Sequence, residues 1–441
     1  MSITKKRKYS MSGGIPIYPG GFSCVFKPQL KCKSKNKMKR NKTRRNKYSG
    51  NFDKMGMGIS KLLFKEHAKL EMDNIQLFYN ALKSIPKSHK YFLFTKSKLC
   101  SPAKISKRDL KGFDNMCSSF TNHEINESNI NANIDNLRLI NMPNAGLSVN
   151  EWLLNTRLTS ARIILFNKLM SELIVNAIVP MNKKGVIHND IKEDNILISG
   201  SKSNPRPTII DWGISGISTS HDPIPEIIMN RYISISNPFS SIIFTTDFII
   251  SYSEFLQTHN NPSSPSFRQE LSSFALSQYL KFKDIGHYSY VEKFFIAAYT
   301  FHKKFMDPNP NVDEAYETQI IENTYHKYAA AYITDVLLHF TDFDQQAGTG
   351  TGKFQYAKYF TQVYIFNCDI WGTMCCYNVF FSIIKEPAII QDINPVKYLN
   401  FLTRLLSIFT TEIMVNGDKK INVNKLVTSL NHSFQGNYVP L

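Results

Sequence analysis

Between residues 186 and 213 the chain runs Val186-Ile187-His188-Asn189-Asp190-Ile191-Lys192-Glu193-Asp194-Asn195-Ile196-Leu197, and then, after a Ser/Asn/Pro turn, Thr208-Ile209-Ile210-Asp211-Trp212-Gly213. No other segment narrows the fold so far. Apolar residues at 186–187, 196–198 and 209–210 bracket polar ones at fixed offsets, and Asn195 to Ile198 and Thr208 to Ile210 predict two short strands joined by the turn. A lone His-x-Asp is commonly a surface turn or a core histidine, and a lone Asp-Trp-Gly a tight turn. The information lies in their order, each beside a strand.

The rest of the chain changes character along its length. Residues 15–30 predict two strands around a Pro-Gly-Gly turn, Ile59 to Phe64 a third, Tyr91 to Thr95 a fourth, and Leu137 to Met142 another. A helix with Ala68, Met72, Ile75 and Phe78 on one face follows the third strand. The Asn-rich stretch 121–136 reads as a polar connection. From 161 to 179, Ile163, Phe166, Leu169, Met170, Leu173 and Ala177 recur at helical spacing, with Ser160 as N-cap. Beyond about residue 240 the pattern is mostly helical, with Ile321, Tyr325, Tyr328, Tyr332, Val336 and Phe340 as its clearest stripe. A strand-rich first third thus precedes a helix-rich remainder, joined near 142–150.

The hairpin segment resembles the protein-kinase catalytic loop H-R-D-x-K-x-x-N followed by the metal-binding D-F-G motif. The resemblance implies an α+β, bilobal protein-kinase-like fold. Residues 1–145 would form a small antiparallel β-sheet lobe with a basic loop at 31–54. Residues 146–441 would form a mainly helical lobe with a large helical insertion at about 240–362. It further implies ATP and Mg²⁺ as cofactors, Asp190 as catalytic base, Lys192 steadying the transferring phosphoryl group, and Asn195 and Asp211 as Mg²⁺ ligands. Phosphoryl transfer needs an oriented hydroxyl and cations on the phosphates, which this residue set supplies.

Other motifs extend the resemblance. Ile17-Tyr18-Pro19-Gly20-Gly21-Phe22-Ser23-Cys24-Val25-Phe26-Lys27 is similar to the Gly-rich phosphate loop, placing Ile17, Gly20, Gly21, Phe22, Ser23 and Val25 at the nucleotide. Only Gly20 falls on a family glycine; Tyr18 and Ser23 stand where two others are expected. The phosphate-binding lysine is best matched by Lys61 with Glu71 as its helical partner, and Lys65 and Glu66 remain the alternative pair. Asn367-Cys368-Asp369-Ile370-Trp371-Gly372 resembles the D-x-W-S/G segment whose Asp supports the catalytic loop. Asn237-Pro238-Phe239 resembles a reduced A-P-E segment without its Glu. Together these motifs resemble the divergent serine/threonine kinases of large nucleocytoplasmic DNA viruses, iridovirus-like members in particular. Asn189 stands where many kinases have an Arg that receives an activation-loop phosphate, and Trp212 replaces the Phe of D-F-G.

Composition adds a partner. Lys and Arg number 53 against 35 Asp and Glu, a net charge of +18, which favours polyanions. Much of the excess lies between Lys31 and Lys47, so an acidic protein substrate and non-specific nucleic-acid contact through 31–47 are expected, with no membrane. Seven cysteines without a C-x-x-C pair predict no disulfide framework or zinc site and fit a reducing, intracellular compartment, host cytoplasm or virion for a viral protein. No signal peptide is visible, and the longest apolar runs, Leu173 to Val179 and Val379 to Ile384, are too short to span a bilayer. Ala347-Gly348-Thr349-Gly350-Thr351-Gly352-Lys353-Phe354 imitates a P-loop but lacks its first Gly, its Ser/Thr and a preceding strand. Two other readings share the central motif: a small-molecule kinase of the aminoglycoside/choline type, and a catalytically weak scaffolding pseudokinase. Lys192 argues against the first, and intact Asp190, Asn195 and Asp211 against the second.

Overall fold

The computed structural model describes residues 14–20, 23–33, 58–94, 97–155, 157–201, 204–231, 234, 236–259, 261–282, 314–343, 352–383, 390, 393–415 and 417–434. It is a mixed helix-and-sheet structure, and the chain divides into two compact units, Met1–Asn80 with Leu93–Ala145 and Ala81–Phe92 with Gly146–Leu441.

The first unit is built on a five-stranded antiparallel sheet: β1 (Ile15–Gly20), β2 (Ser23–Lys27), β3 (Ile59–Phe64), β5 (Leu137–Met142) and β4 (Lys98–Cys100), in that spatial order. Alternation along each strand sorts the side chains onto two faces. Cys24, Phe26, Leu62, Leu137 and Leu139 lie on one, where Ile105, Leu110, Phe113, Phe120, Ile125 and Ile130 cover them. The Asn-rich stretch is therefore more than a polar connection. Its asparagines satisfy backbone groups of a packed layer: Asn131 accepts from Ile105 N at 2.8 Å and donates to Ile105 O at 2.9 Å. On the other face, Leu63 and Ile140 pack with Ala68 and Met72 of helix α1 (Lys65–Leu82).

Two disulfides tie the first unit together, Cys24–Cys117 and Cys32–Cys100, with Cα–Cα distances of 5.2 and 5.8 Å. This corrects the expectation of no disulfide framework. The partners are 93 and 68 residues apart in sequence, so no local spacing announces them; strand pairing and the covering layer bring them together. Closing loops of that length restricts the unfolded chain by about 4–5 kcal/mol each in the chain-entropy account.

In the second unit, β6 (Leu147–Ser148), β8 (Ile196–Ser201) and β9 (Asn204–Ile209) form one small antiparallel sheet, and β7 (Val186–Ile187) pairs with β10 (Gly216–Ile217). The predicted helix begins one residue late in the sequence reading: Thr159 is the N-cap, accepting from Arg162 N, and helix Ser160–Leu173 continues through a π-helical turn, Ile174–Ile178, into Val179–Lys183. By length and composition the 24-residue run Ser160–Lys183 could cross a bilayer, contrary to the reading of shorter apolar runs, but 56% of its apolar window is buried within the fold. The predicted strand Tyr91 to Thr95 is also corrected. A helical turn, Ser88–Tyr91, occupies its start, and Phe92 makes a single parallel bridge to Ile209.

The described part of the 240–362 stretch is mostly helical, chiefly Thr246–Thr258, Phe267–Phe282 and Glu314–Phe340. These helices share a core with the rest of the unit. Phe239 sits edge-on to Tyr279, Tyr325, Tyr332 and Trp371, with ring centroids 5.1–5.9 Å apart, a favoured aromatic geometry. Phe239 is thus held by aromatic packing at the centre of this core. Most of the 31–47 run and of the P-loop-like segment lies outside the described residues; Lys353 pairs with Asp342 in a two-residue ladder.

Candidate active site

In the second unit, the loop between β7 and β8 carries Asp190, Lys192 and Asn195, and their side chains converge. Lys192 Nζ lies 3.2 Å from Asp190 Oδ1 and 3.0 Å from Oδ2. Asn195 Nδ2 donates to Asp190 Oδ2 and to Asp190 O, both at 2.8 Å. These contacts fix the Asp190 rotamer and turn the Asn195 amide nitrogen inward. An Asn side chain has one nitrogen and one oxygen, so Oδ1 then points away from Asp190.

The loop is held from below by Asp369, 1% exposed on helix Ile365–Cys375. Its carboxylate accepts from Asn182 Nδ2 at 2.8 Å, His188 N at 3.0 Å and Asn189 N at 2.9 Å. Burial pushes its carboxyl pKa up, against the opposing pull of His188 and these three donors. Gly372 follows on the same helix because a Cβ there would meet Ile191 O. Asn189 takes a left-handed backbone (φ 63), a region Asn tolerates better than most residues.

His188 joins this loop to the next hairpin. Its Nδ1 accepts from Asp190 N at 3.3 Å, which leaves Nε2 to donate to Ile210 O at 3.0 Å. Ile210 N donates to Asn195 O at 3.0 Å. Asp211 therefore emerges beside the loop, with φ 64, an uncommon conformation for a residue other than Gly and one concentrated at functional sites. Trp212 follows, buried edge-on against His188 and Phe92 at 4.8 and 5.6 Å. Its larger ring fills the space between them.

In the first unit, Lys61 and Glu71 form an ion pair at 2.9 Å, 19% and 22% exposed. Lys65 and Glu66 lie exposed in the first turn of α1. Val25 and Ile140 are the direct cross-strand neighbours of Lys61, and Ile59 pairs with Met142. Ser23, Val25, Ile59 and Lys61 therefore share one face, as period-two alternation predicts. Ile17 is 42% exposed at the irregular register between Pro16 and Tyr18. Ser23 is 2% exposed and pairs with Gly20 across the hairpin. Gly21 and Phe22 lie outside the described residues.

Two participants, Asn182 and Ser215, carry no sequence signal of their own. Asn182 holds Asp369 from six residues before His188. Ser215 Oγ donates to His188 O at 3.1 Å. Asn237 Nδ2 donates to Asn189 Oδ1 at 3.0 Å, which ties the segment before Phe239 to the Asp190 loop.

Asn195 Oδ1 and the Asp211 carboxylate are hard oxygen donors of the type Mg²⁺ takes. A two-residue set leaves the remaining coordination to phosphate and water, as Mg²⁺ prefers.

Neither a protein-family profile nor a curated protein sequence matches the chain. Among solved structures it is similar to the kinase PK-1 of Cydia pomonella granulovirus, at 14% sequence identity and a TM-score of 0.28, over 53% of this chain and 61% of that one. The chain thus spans about three fifths of that kinase.

Proposed function

We propose that the chain is an ATP- and Mg²⁺-dependent protein kinase that phosphorylates serine and threonine hydroxyls. The observation that carries this is the convergence of Lys192 Nζ and Asn195 Nδ2 on the Asp190 carboxylate. A carboxylate so oriented is placed to take the proton of an acceptor hydroxyl. Lys192 offsets charge moving onto that hydroxyl oxygen, and it is the residue that separates a protein kinase from the small-molecule type. Asp369 keeps the loop backbone in place. Asn195 Oδ1 and Asp211 would hold Mg²⁺, which when bound neutralises nucleotide phosphate charge. The Lys61–Glu71 pair presents an ammonium on the face shared with Val25 and Ile59, a surface suited to phosphate beside an apolar base. The motif set favours placement among divergent kinases of large nucleocytoplasmic DNA viruses.

The acceptor in this reading is an acidic protein, drawn by the net charge of +18, with the 31–47 run adding non-specific polyanion contacts. Incubation of the purified protein with radiolabelled Mg-ATP and either casein or an aminoglycoside, followed by phosphoamino-acid analysis, tests it. Phosphoserine and phosphothreonine on casein are expected. Transfer to the aminoglycoside or choline with none to protein would replace this reading with the small-molecule kinase.

A further inference from the structure

Asn189, the residue before Asp190, is bonded at both of its backbone polar groups. Its N–H donates to Asp369 Oδ1 at 2.9 Å. Its carbonyl oxygen and its side-chain Oδ1 both accept from Asn237 Nδ2, at 3.3 and 3.0 Å. The same nitrogen lies 3.3 Å from Cys368 Sγ, and that sulfur lies 3.6 Å from Asn189 Oδ1, which closes a triangle of polar groups. Asn189, Asn237 and Cys368 are at most 5% exposed. Burial pushes the Cys368 thiol up, so it stays protonated and the triangle is neutral. Asn237 is itself fixed: its N–H donates to Ser234 O at 3.0 Å, and two residues on, Phe239 is packed among Tyr279, Tyr325, Tyr332 and Trp371.

The triangle bears on Asp190 through one peptide group. The carbonyl of Asn189 and the N–H of Asp190 belong to the same plane. Asn237 Nδ2 engages the oxygen of that plane, and His188 Nδ1 accepts from its N–H at 3.3 Å. Turning the plane changes ψ of Asn189 and φ of Asp190, and with them the direction in which the Asp190 side chain leaves the loop. Asp369 takes the N–H groups of His188 and Asn189, both upstream of this plane. Asn189 stands at φ 63, and a non-glycine residue keeps such a conformation only where its surroundings over-determine it. The amide of Asn237 is one of those surroundings.

We propose that Asn237 is a positioning residue for the base: its amide holds the Asn189–Asp190 peptide plane and so aims the Asp190 carboxylate at the acceptor hydroxyl. The inference rests on the kinase reading above and adds to it a residue that lies outside the Asp190 loop and acts through Asn189. An amide suits the place. A carboxylate at 237 would face two oxygens of Asn189 with nothing to donate, and a buried ammonium would need an anion to pair with. Because the amide comes from the segment that follows Asp211, the base is aimed only while that segment keeps its place beside the loop.

The test uses the full chain with Mg-ATP and casein, and expresses kcat per nucleotide-binding site counted by titration, so that unfolded protein drops out. Asn237→Ala is expected to lower kcat by about 10- to 10²-fold, the scale of loss from a reacting group misplaced by about 1 Å. The KM values for ATP and casein should stay close to wild type, because the lost interaction serves the transition state and not binding. Asn237→Asp has the same shape without the donor and should lose at least as much. Asn237→Ser keeps a shorter donor, should recover part of the rate, and decides where Asn237→Ala does not fold. Cys368→Ala removes one acceptor of the amide, leaves both on Asn189, and should stay near the wild-type rate. Asn237 variants with fewer binding sites but an unchanged kcat per site would make the residue merely structural, which overturns the inference while the kinase reading stands. So does a Cys368→Ala protein as slow as Asn237→Ala, since the loss would then follow the packing of the triangle and not the bond to Asn189. A set of Asn237 variants none of which binds nucleotide overturns it as well. Wild-type protein that transfers phosphate to no acceptor overturns both.

Discussion

Asn195 Nδ2 sits 2.8 Å from Asp190 Oδ2 and 2.8 Å from Asp190 O, so one amide group sets both the side chain and the backbone of the residue five positions before it. The same contact turns Asn195 Oδ1 away from Asp190. In the proposed reading, base orientation and metal binding would be coupled through this one side chain. Asn195→Ala should therefore lower turnover by about 10²-fold or more and raise the Mg²⁺ concentration needed for half-maximal rate. A Mg²⁺ titration of the phosphotransfer rate checks this; an unshifted midpoint would separate the two roles.

The Lys61–Glu71 pair distinguishes the two lysines that the sequence leaves open. Lys61→Ala should reduce phosphotransfer by about 10²-fold or more through lost phosphate contacts. Lys65→Ala, on the exposed first turn of α1, should stay within about twofold, as a surface substitution shifts stability by only about 0.5 kcal/mol. Parallel kcat and nucleotide-KM measurements on the two variants decide, and equal losses would remove the assignment of Lys61.

Asp369 satisfies three donors in a site closed to water. Asp369→Ala leaves Asn182 Nδ2 and the His188 and Asn189 amides without that acceptor, each at about 1–3 kcal/mol. Urea unfolding should show a loss of at least about 3 kcal/mol. A variant within about 1 kcal/mol of wild type would mean that the loop has other support.

Glu193 gives a pH signature. Burial raises its carboxyl pKa above the ordinary value, and nearby Asp194 and Asp190 push the same way, against its backbone hydrogen bond and Lys192. A raised folded-state pKa means that stability from this group is complete below the unfolded-state pKa and is lost as pH rises through the folded one. Glu193→Gln should therefore match wild type in acid, below about pH 4, and become the more stable protein as pH climbs towards neutrality. Thermal melts across that range measure it; a variant less stable than wild type at pH 7 would contradict the sign.

The Asp190 loop stood out because its residue types lie at the fixed offsets of the motif it resembles, and β8 and β9 follow from the apolar runs at 196–198 and 209–210. The Lys61 face was legible for a similar reason: alternation in Ile59–Phe64 sorts side chains without knowledge of the partners. Cys24–Cys117 and Cys32–Cys100 were hidden, since pairing across 93 and 68 residues depends on which layer covers the sheet. The layer itself was obscured by asparagines, which look solvent-directed in sequence yet, like Asn131, bind backbone groups inside a loop. Tyr91 to Thr95 looked like a strand because its aromatics alternate poorly from a buried helical turn over so few residues. Asn182 and Ser215 carry no motif, and only the fold places them beside the loop.

The central claim is that Asp190 acts as the base for transfer from ATP to a protein hydroxyl. Steady-state transfer of γ-phosphate to casein by wild-type protein and by Asp190→Asn, each with nucleotide affinity measured separately, tests it most directly. Removal of a general base should cost about 10²–10⁴-fold in kcat while nucleotide affinity stays close to wild type. An Asp190→Asn protein that folds, binds nucleotide and turns over at the wild-type rate would contradict the account.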